Sequence, residues 1–187
     1  ASGKSSYAES FAMSLQGEGR LLYIATMYPY KWNTTEIDPE TMQRIERHRA
    51  MRADKGFDTV ECYRHVEHIV AKRQDVLLLE CMSNLLANEM YLEPDSNAGS
   101  DMAETMSPVS NKIVQALIDL STRVQELVIV TNDVFSDGGS LTYDESTREY
   151  VKNLAEINCA LAREAATVTE VVCGIPVIVK KNHPMGK

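Results

Sequence analysis

The chain has 187 residues, 44% of them apolar and 25% charged, and carries a formal net charge of -8. That length suits a single domain over residues 1–187 with a sizeable core, and the acidity argues against a general nucleic-acid or membrane surface. No apolar run is long enough for a membrane span and no signal peptide is visible, while Cys62, Cys81, Cys159 and Cys173 lack C-x-x-C spacing, so they read as reduced, mostly buried thiols of a cytoplasmic protein.

The chain opens on Ala1-Ser2-Gly3-Lys4-Ser5, the second half of a phosphate-binding loop G-x-x-x-x-G-K-[ST]. The first glycine of such a loop, and the buried strand that delivers it, are expected before Ala1. A helix must follow, and Tyr7, Ala8, Phe11, Ala12 and Leu15 recur at helical spacing over Ser5–Gln16. Backbone N–H groups at that helix start would hold phosphate oxygens, Lys4 would reach the outer phosphates, and the Ser5 hydroxyl would bind Mg²⁺. Taken alone, the tripeptide fits an exposed turn equally well.

Short apolar runs then alternate with helical stretches. Leu21–Thr26, Val76–Glu80 and Leu127–Thr131 read as strands buried on both faces, which points to an α/β fold with a mostly parallel central sheet flanked by helices. Helices are expected over Asp38–Arg52, Arg64–Lys72, Met82–Met90, Ser110–Arg123 and Asp144–Ala166. The first of these has Asp38 as its cap and Pro39 and Glu40 in its first turn. Residues 93–108 turn acidic and rich in Ser, Asn and Gly, a mobile loop rather than a linker. Glu170–Cys173 and Val177–Lys181 flank a Gly/Pro turn and predict a C-terminal β-hairpin. Ligands collect at the carboxyl ends of strands in open α/β sheets, where Thr26, Glu80 and Thr131-Asn132 would stand.

One helix is basic out of proportion. Between Arg44 and Lys55 five cationic side chains oppose Glu46 and Asp54, a local +3 within a chain of -8. Arg44, His48 and Arg52 form one stripe at i, i+4 and i+8. A solvated basic face with an incidental histidine explains this pattern. So does an anion site holding a nucleophile: an imidazole attacks phosphorus only when neutral, and neighbouring guanidinium groups both disfavour its protonation and neutralise phosphates. The pair His65-x-x-His68 lacks an obvious third ligand and reads as structural. The nine methionines read as core filler.

The chain resembles the bifunctional adenosylcobinamide kinase/adenosylcobinamide-phosphate guanylyltransferase family of cobalamin biosynthesis. The likeness runs through Ser2-Gly3-Lys4-Ser5, Leu22-Tyr23-Ile24-Ala25-Thr26, Arg44-Ile45 leading to His48, and Glu61-Cys62-Tyr63-Arg64-His65. It continues in Leu78-Leu79-Glu80-Cys81, Val130-Thr131-Asn132 and Val172-Cys173-Gly174-Ile175. The resemblance implies a P-loop NTPase-like fold and two reactions. The aminopropanol hydroxyl of adenosylcobinamide is phosphorylated, with ATP or GTP as donor, and GMP is then transferred from GTP to that phosphate. It further implies a GMP-histidine intermediate at His48. Nucleotide contacts are implied at Ala1, Ser2, Gly3, Lys4 and Ser5, at Ala25, Thr26 and Met27, at Arg49, Ala50, Met51 and Arg52, and at Glu61 and Glu80. Mg²⁺ would be held by Ser5 and Glu80, and the protein would be a homo-oligomer, a trimer.

A carboxylate suits the donor edge of guanine, so Glu61 or Glu80 can select GTP, and Glu80 can instead serve Mg²⁺. Departures from the family are Arg47 before His48, where a second histidine is common, and Asp133 in place of Glu. The stretches Tyr28–Ile37 and Pro94–Ser107 are longer than usual, and both border the expected corrinoid entrance. Two other readings fit the residues: a P-loop small-molecule kinase in which His48 only steadies phosphates, and a non-catalytic nucleotide-binding module.

Overall fold

The computed structural model describes residues 2–31, 34–92, 106–134 and 143–182. In chain order these form α1 (Lys4–Leu15), β1 (Leu21–Ala25), α2 (Pro39–Arg52), β2 (Phe57–Glu61), β3 (Val76–Glu80) and α3 (Met82–Tyr91). There follow α4 (Pro108–Arg123), β4 (Glu126–Val130), α5 (Glu145–Glu164), β5 (Thr167–Val172) and β6 (Ile175–Lys181). The expected α/β architecture is present. Four parallel strands in the order β2-β1-β3-β4 form one sheet, helices flank it, and β5-β6 make an antiparallel hairpin.

Period-2 alternation within the central strands explains why both faces of the sheet are buried. Leu22 and Ile24 of β1 and Leu77 and Leu79 of β3 point into a core filled by Leu85, Leu86, Ile113, Leu117, Leu120, Leu154 and Ile157 from α3, α4 and α5. Leu21, Tyr23, Val76 and Leu78 point the other way, where Ala8 and Ala12 of α1 are small enough to let that helix lie close. Each fully buried aliphatic side chain contributes about 1.5–3 kcal/mol, so the continuous runs of β1 and β3 anchor the fold.

The helix starts follow local chemistry. Asp38 accepts from the Thr41 N–H at 3.3 Å, Ser107 from the Ser110 N–H at 3.2 Å, and Asp144 from the Thr147 N–H at 2.7 Å. Pro108 occupies the first turn of α4, which therefore begins earlier than the Ser110 expected from its apolar period. The hairpin turns through Cys173 and Gly174, whose φ angles of 50° and 82° fit a two-residue type I′ turn.

Three expectations need correction. Residues 64–72 are not a helix: only one 3₁₀ turn, Val66–His68, forms there. His65 enters it at φ 57°, with its N–H donated to Glu89 Oε1 at 2.7 Å, so a side chain takes a donor that a helix start leaves open. Phe57–Glu61, assigned no element from sequence, is strand β2 at the sheet edge; its mixed apolar and charged composition reflects partial exposure. The cysteines are unpaired, but Cys62 and Cys81 are half-buried and Cys159 and Cys173 exposed, so they are not mostly buried. The loop expected over 93–108 falls mainly on 93–105, outside the described residues, as do Ala1 and His183. No helix among the described residues is long and apolar enough to cross a membrane.

Candidate active site

The carboxyl ends of β1, β2, β3 and β4 and the inner face of α2 enclose a cavity of about 250 Å³. From α2 it is lined by Ile45, Arg49 and the stripe Arg44, His48 and Arg52 expected from helical spacing. From β1 come Ala25, Thr26 and Met27, from β3 Glu80 and Cys81, from the edge strand and its exit Glu61 and Tyr63, and from the end of β4 Asn132.

The floor is held by hydrogen bonds rather than by apolar packing. Thr26 is fully buried; its hydroxyl accepts from the Cys81 N–H at 2.9 Å and donates towards the carbonyls of Glu80 and Cys81, at 3.1 and 3.0 Å. The buried Asn88 amide donates to the carbonyls of Thr26 and Tyr63, at 2.8 and 2.9 Å, tying the exits of β1 and β2 together. Asn132 donates to Ser83 Oγ at 3.0 Å. Glu80 is thereby fixed at its strand end, where its Oε1 accepts a hydrogen bond from Ser5 Oγ. Its other oxygen, Oε2, is buried and accepts no hydrogen bond of standard geometry.

Arg52 is the most unusual group in the site. It is 5% exposed, its guanidinium carbon lies 3.4 Å from the centroid of the Tyr23 ring, and its Nε and Nη1 are buried without a hydrogen-bond partner. Stacking over a ring compensates part of the desolvation of a buried cation, but leaves its donors unsatisfied. A buried guanidinium with open donors and a buried carboxylate oxygen without a hydrogen bond of standard geometry, in one cavity, have the chemistry that suits an anion with its counter-cation. Burial first, and then the charge of Glu80, push the Tyr23 hydroxyl above its ordinary pKa, so it stays a neutral support.

At the outer wall Arg49 pairs with Glu61 Oε1, and the Tyr63 hydroxyl donates to Glu61 Oε2 at 2.8 Å. Burial, followed by Glu61, raises the Tyr63 hydroxyl and keeps it a donor. The start of α1 supplies the third part. Gly3 holds φ 85°, a left-handed conformation suited to glycine, and a Cβ there would come within 2.9 Å of Gly174 Cα at the hairpin tip. The Gly174 N–H also donates to the Ser2 carbonyl at 2.9 Å, so the hairpin braces the loop. Beyond Gly3, the first N–H groups of α1 have no intrahelical acceptor.

Of the residues expected to act, His48, Arg49, Arg52, Ala25, Thr26, Met27, Glu61 and Glu80 line one cavity, and Ser5 reaches it through Glu80. Ser2, Gly3 and Lys4 stand in the loop that leads to Ser5. Ala50 and Met51 lie on the exposed side of α2, outside the cavity lining. Sequence reasoning passes over Tyr23, Tyr63, Ser83 and Asn84 as site residues. Tyr63 follows the strand that composition hides, and Tyr23 sits within a run that reads purely as core. Among the described residues no group of three or more His, Cys, Asp and Glu forms a metal cluster. Ser5 Oγ and the open oxygen of Glu80 nevertheless present the hard oxygen donors that magnesium takes alongside substrate phosphates.

A protein-family model described as cobinamide kinase / cobinamide phosphate guanyltransferase matches residues 1–179 of the chain. No curated protein matches it.

Proposed function

The chain belongs to the cobinamide kinase / cobinamide phosphate guanyltransferase family, a family of bifunctional enzymes, and we propose that it works through a guanylyl-histidine at His48. In this reading it first phosphorylates the aminopropanol hydroxyl of adenosylcobinamide, with ATP or GTP as donor. An unprotonated ring nitrogen of His48 then attacks the α-phosphorus of GTP. The P–N bond forms, the bond to the β-phosphate oxygen breaks, and pyrophosphate leaves. A phosphate oxygen of the corrinoid substrate next displaces the imidazole, giving adenosylcobinamide-GDP and free His48.

The observation that carries this reading is the pairing of His48 with an unsatisfied, buried Arg52 in one cavity. Arg52, with Arg44 and Arg49 beside it, would receive the triphosphate; its stack on Tyr23 supports this by holding the guanidinium in the cavity. Lys4 and the start of α1 would take the outer phosphates. Ser5 and Glu80 would hold Mg²⁺, which when bound neutralises phosphate charge. With Glu80 turned towards Ser5, Glu61 is left for the guanine edge, where it would exchange Arg49 or Tyr63 for the guanine donors.

Replacing the nucleophile separates the two reactions. His48→Ala is expected to lower GMP transfer to cobinamide phosphate on the order of 10³-fold or more, while phosphorylation of cobinamide continues near the wild-type rate. Undiminished GMP transfer would remove His48 from the mechanism and leave a P-loop kinase whose histidine only steadies phosphates.

A further inference from the structure

Two arginines face the His48 cavity from the last turn of α2, and they are held in different ways. Arg49 pairs with Glu61, whose second oxygen accepts from Tyr63. Arg52 forms no ion pair among the described residues and lies instead over the face of the Tyr23 ring.

The register of the sheet shows that carboxylates are at hand. Ala25 stands opposite Glu61 of β2 and Glu80 of β3, so these three side chains form a row on one face of the sheet. Tyr23, two residues earlier on β1, shares that face. It stands opposite Thr59 and Leu78, which makes both glutamates its diagonal neighbours. Yet Glu61 turns to Arg49 and Glu80 to Ser5, and the guanidinium of Arg52 is left on the ring between them. The ring is firmly seated. It is 4% exposed, clusters with Ala12 of α1 and Leu78 of β3, and meets Phe57 edge to face with centroids 6.2 Å apart.

A carboxylate and a ring face hold a guanidinium with different consequences. A carboxylate occupies the N–H fork and cancels its charge, so an incoming phosphate must displace it. The negative face of an aromatic ring attracts the cation without accepting from the fork, which leaves both donors and charge available. We propose that Tyr23 is a positioning residue of the nucleotide site: its ring takes the place of a carboxylate partner and presents Arg52 to the phosphates with its donors unoccupied. The inference rests on the reading of Arg52 as a phosphate ligand and adds the group through which the fold keeps it ready for that role.

The test separates the electrostatics of the ring from its bulk. Tyr23→Phe keeps the negative face, a trifluorinated phenylalanine at position 23 keeps the ring but drains that face, and Tyr23→Leu removes the ring. The dissociation constant of GTP with Mg²⁺ is measured for each by equilibrium dialysis, and again with Arg52→Ala added. Tyr23→Phe is expected to bind within about threefold of wild type, and the trifluorinated and leucine proteins about tenfold more weakly. With Arg52→Ala present, all of them should bind alike, because the ring acts only through the guanidinium. The fluorinated ring keeps its packing, so the comparison with Tyr23→Phe stands even where Tyr23→Leu fails to fold. Equal GTP affinity of the fluorinated and phenylalanine proteins, with Arg52→Ala weakened, overturns the proposal and leaves Arg52 a phosphate ligand. A loss on fluorination that persists with Arg52→Ala also overturns it, since the ring would then serve the fold alone. Wild-type GTP affinity in Arg52→Ala defeats the reading of Arg52 itself, and this proposal with it.

Discussion

Asp75 shows how much one side chain can hold. It is 1% exposed, and its carboxylate accepts from the Lys72 and Arg20 N–H groups at 2.8 and 3.0 Å and from the Arg20 guanidinium at 2.5 Å. Burial pushes the carboxyl upwards, but the Arg20 side chain and the two N–H donors outweigh it and hold the pKa at about 2. A pKa lowered on folding stabilises the protein above the unfolded value near 4, and that contribution is lost as pH falls through the folded value. Asp75→Asn should therefore cost on the order of 2 kcal/mol at neutral pH. The gap to wild type should close between about pH 4 and pH 2 in urea melts; a gap that stays constant over that window would contradict the assignment. Arg52 is the counterpart at the other end of the sheet. Asp75 has its partners in the fold, whereas Arg52 keeps open donors, the difference on which its proposed role toward phosphate rests.

Among the elements, α2 stands apart because Arg52 is its only buried residue. The helix that carries His48 lacks an apolar core face and is held by the Arg52–Tyr23 stack, the Arg49–Glu61 pair and, just past its end, the Lys55–Glu9 pair. Its amides should exchange with solvent well before those of β1 and β3 and become protected when GTP and Mg²⁺ bind. Protection of α2 equal to that of β3 in the free protein would show that these polar contacts suffice on their own. The same contrast governs what could be read from sequence. Strands β1 and β3 are legible because burial on both faces leaves an unbroken apolar run, and α2 is legible because Asp38 and Pro39 are local signals. Strand β2 is hidden by its half-exposed FDTVE composition. Residues 64–72 suggest a helix, but only the turn Val66–His68 forms, entered through His65 in a left-handed conformation that Glu89 holds from a distant helix. The stripe of Arg44, His48 and Arg52 is readable from spacing alone; Tyr23 and Tyr63, which line the same cavity, come from contacts that no local pattern encodes.

At the scale of the whole molecule, the amino end of the sheet is locked around Asp75 and the carboxyl end carries the His48 cavity. The hairpin β5-β6 braces Ser2 and Gly3 before α1 while leaving Ile175, Val177, Ile178 and Val179 46–66% exposed. So much apolar surface on a two-stranded hairpin fits a homo-oligomer, for which the family resemblance implies a trimer. Light scattering should give a multiple of the chain mass, and Val177→Lys with Val179→Lys should reduce it to a monomer; a wild-type monomer would refute this. The central claim concerns His48, and one measurement reaches it most directly. The protein is incubated with Mg²⁺ and GTP labelled at the α-phosphate, denatured, and assayed for bound label. The account predicts label that is acid-labile and base-stable, as a phosphoramidate is, and absent from His48→Ala. Nucleotide-binding protein that retains no label, or label that persists in His48→Ala, would contradict it.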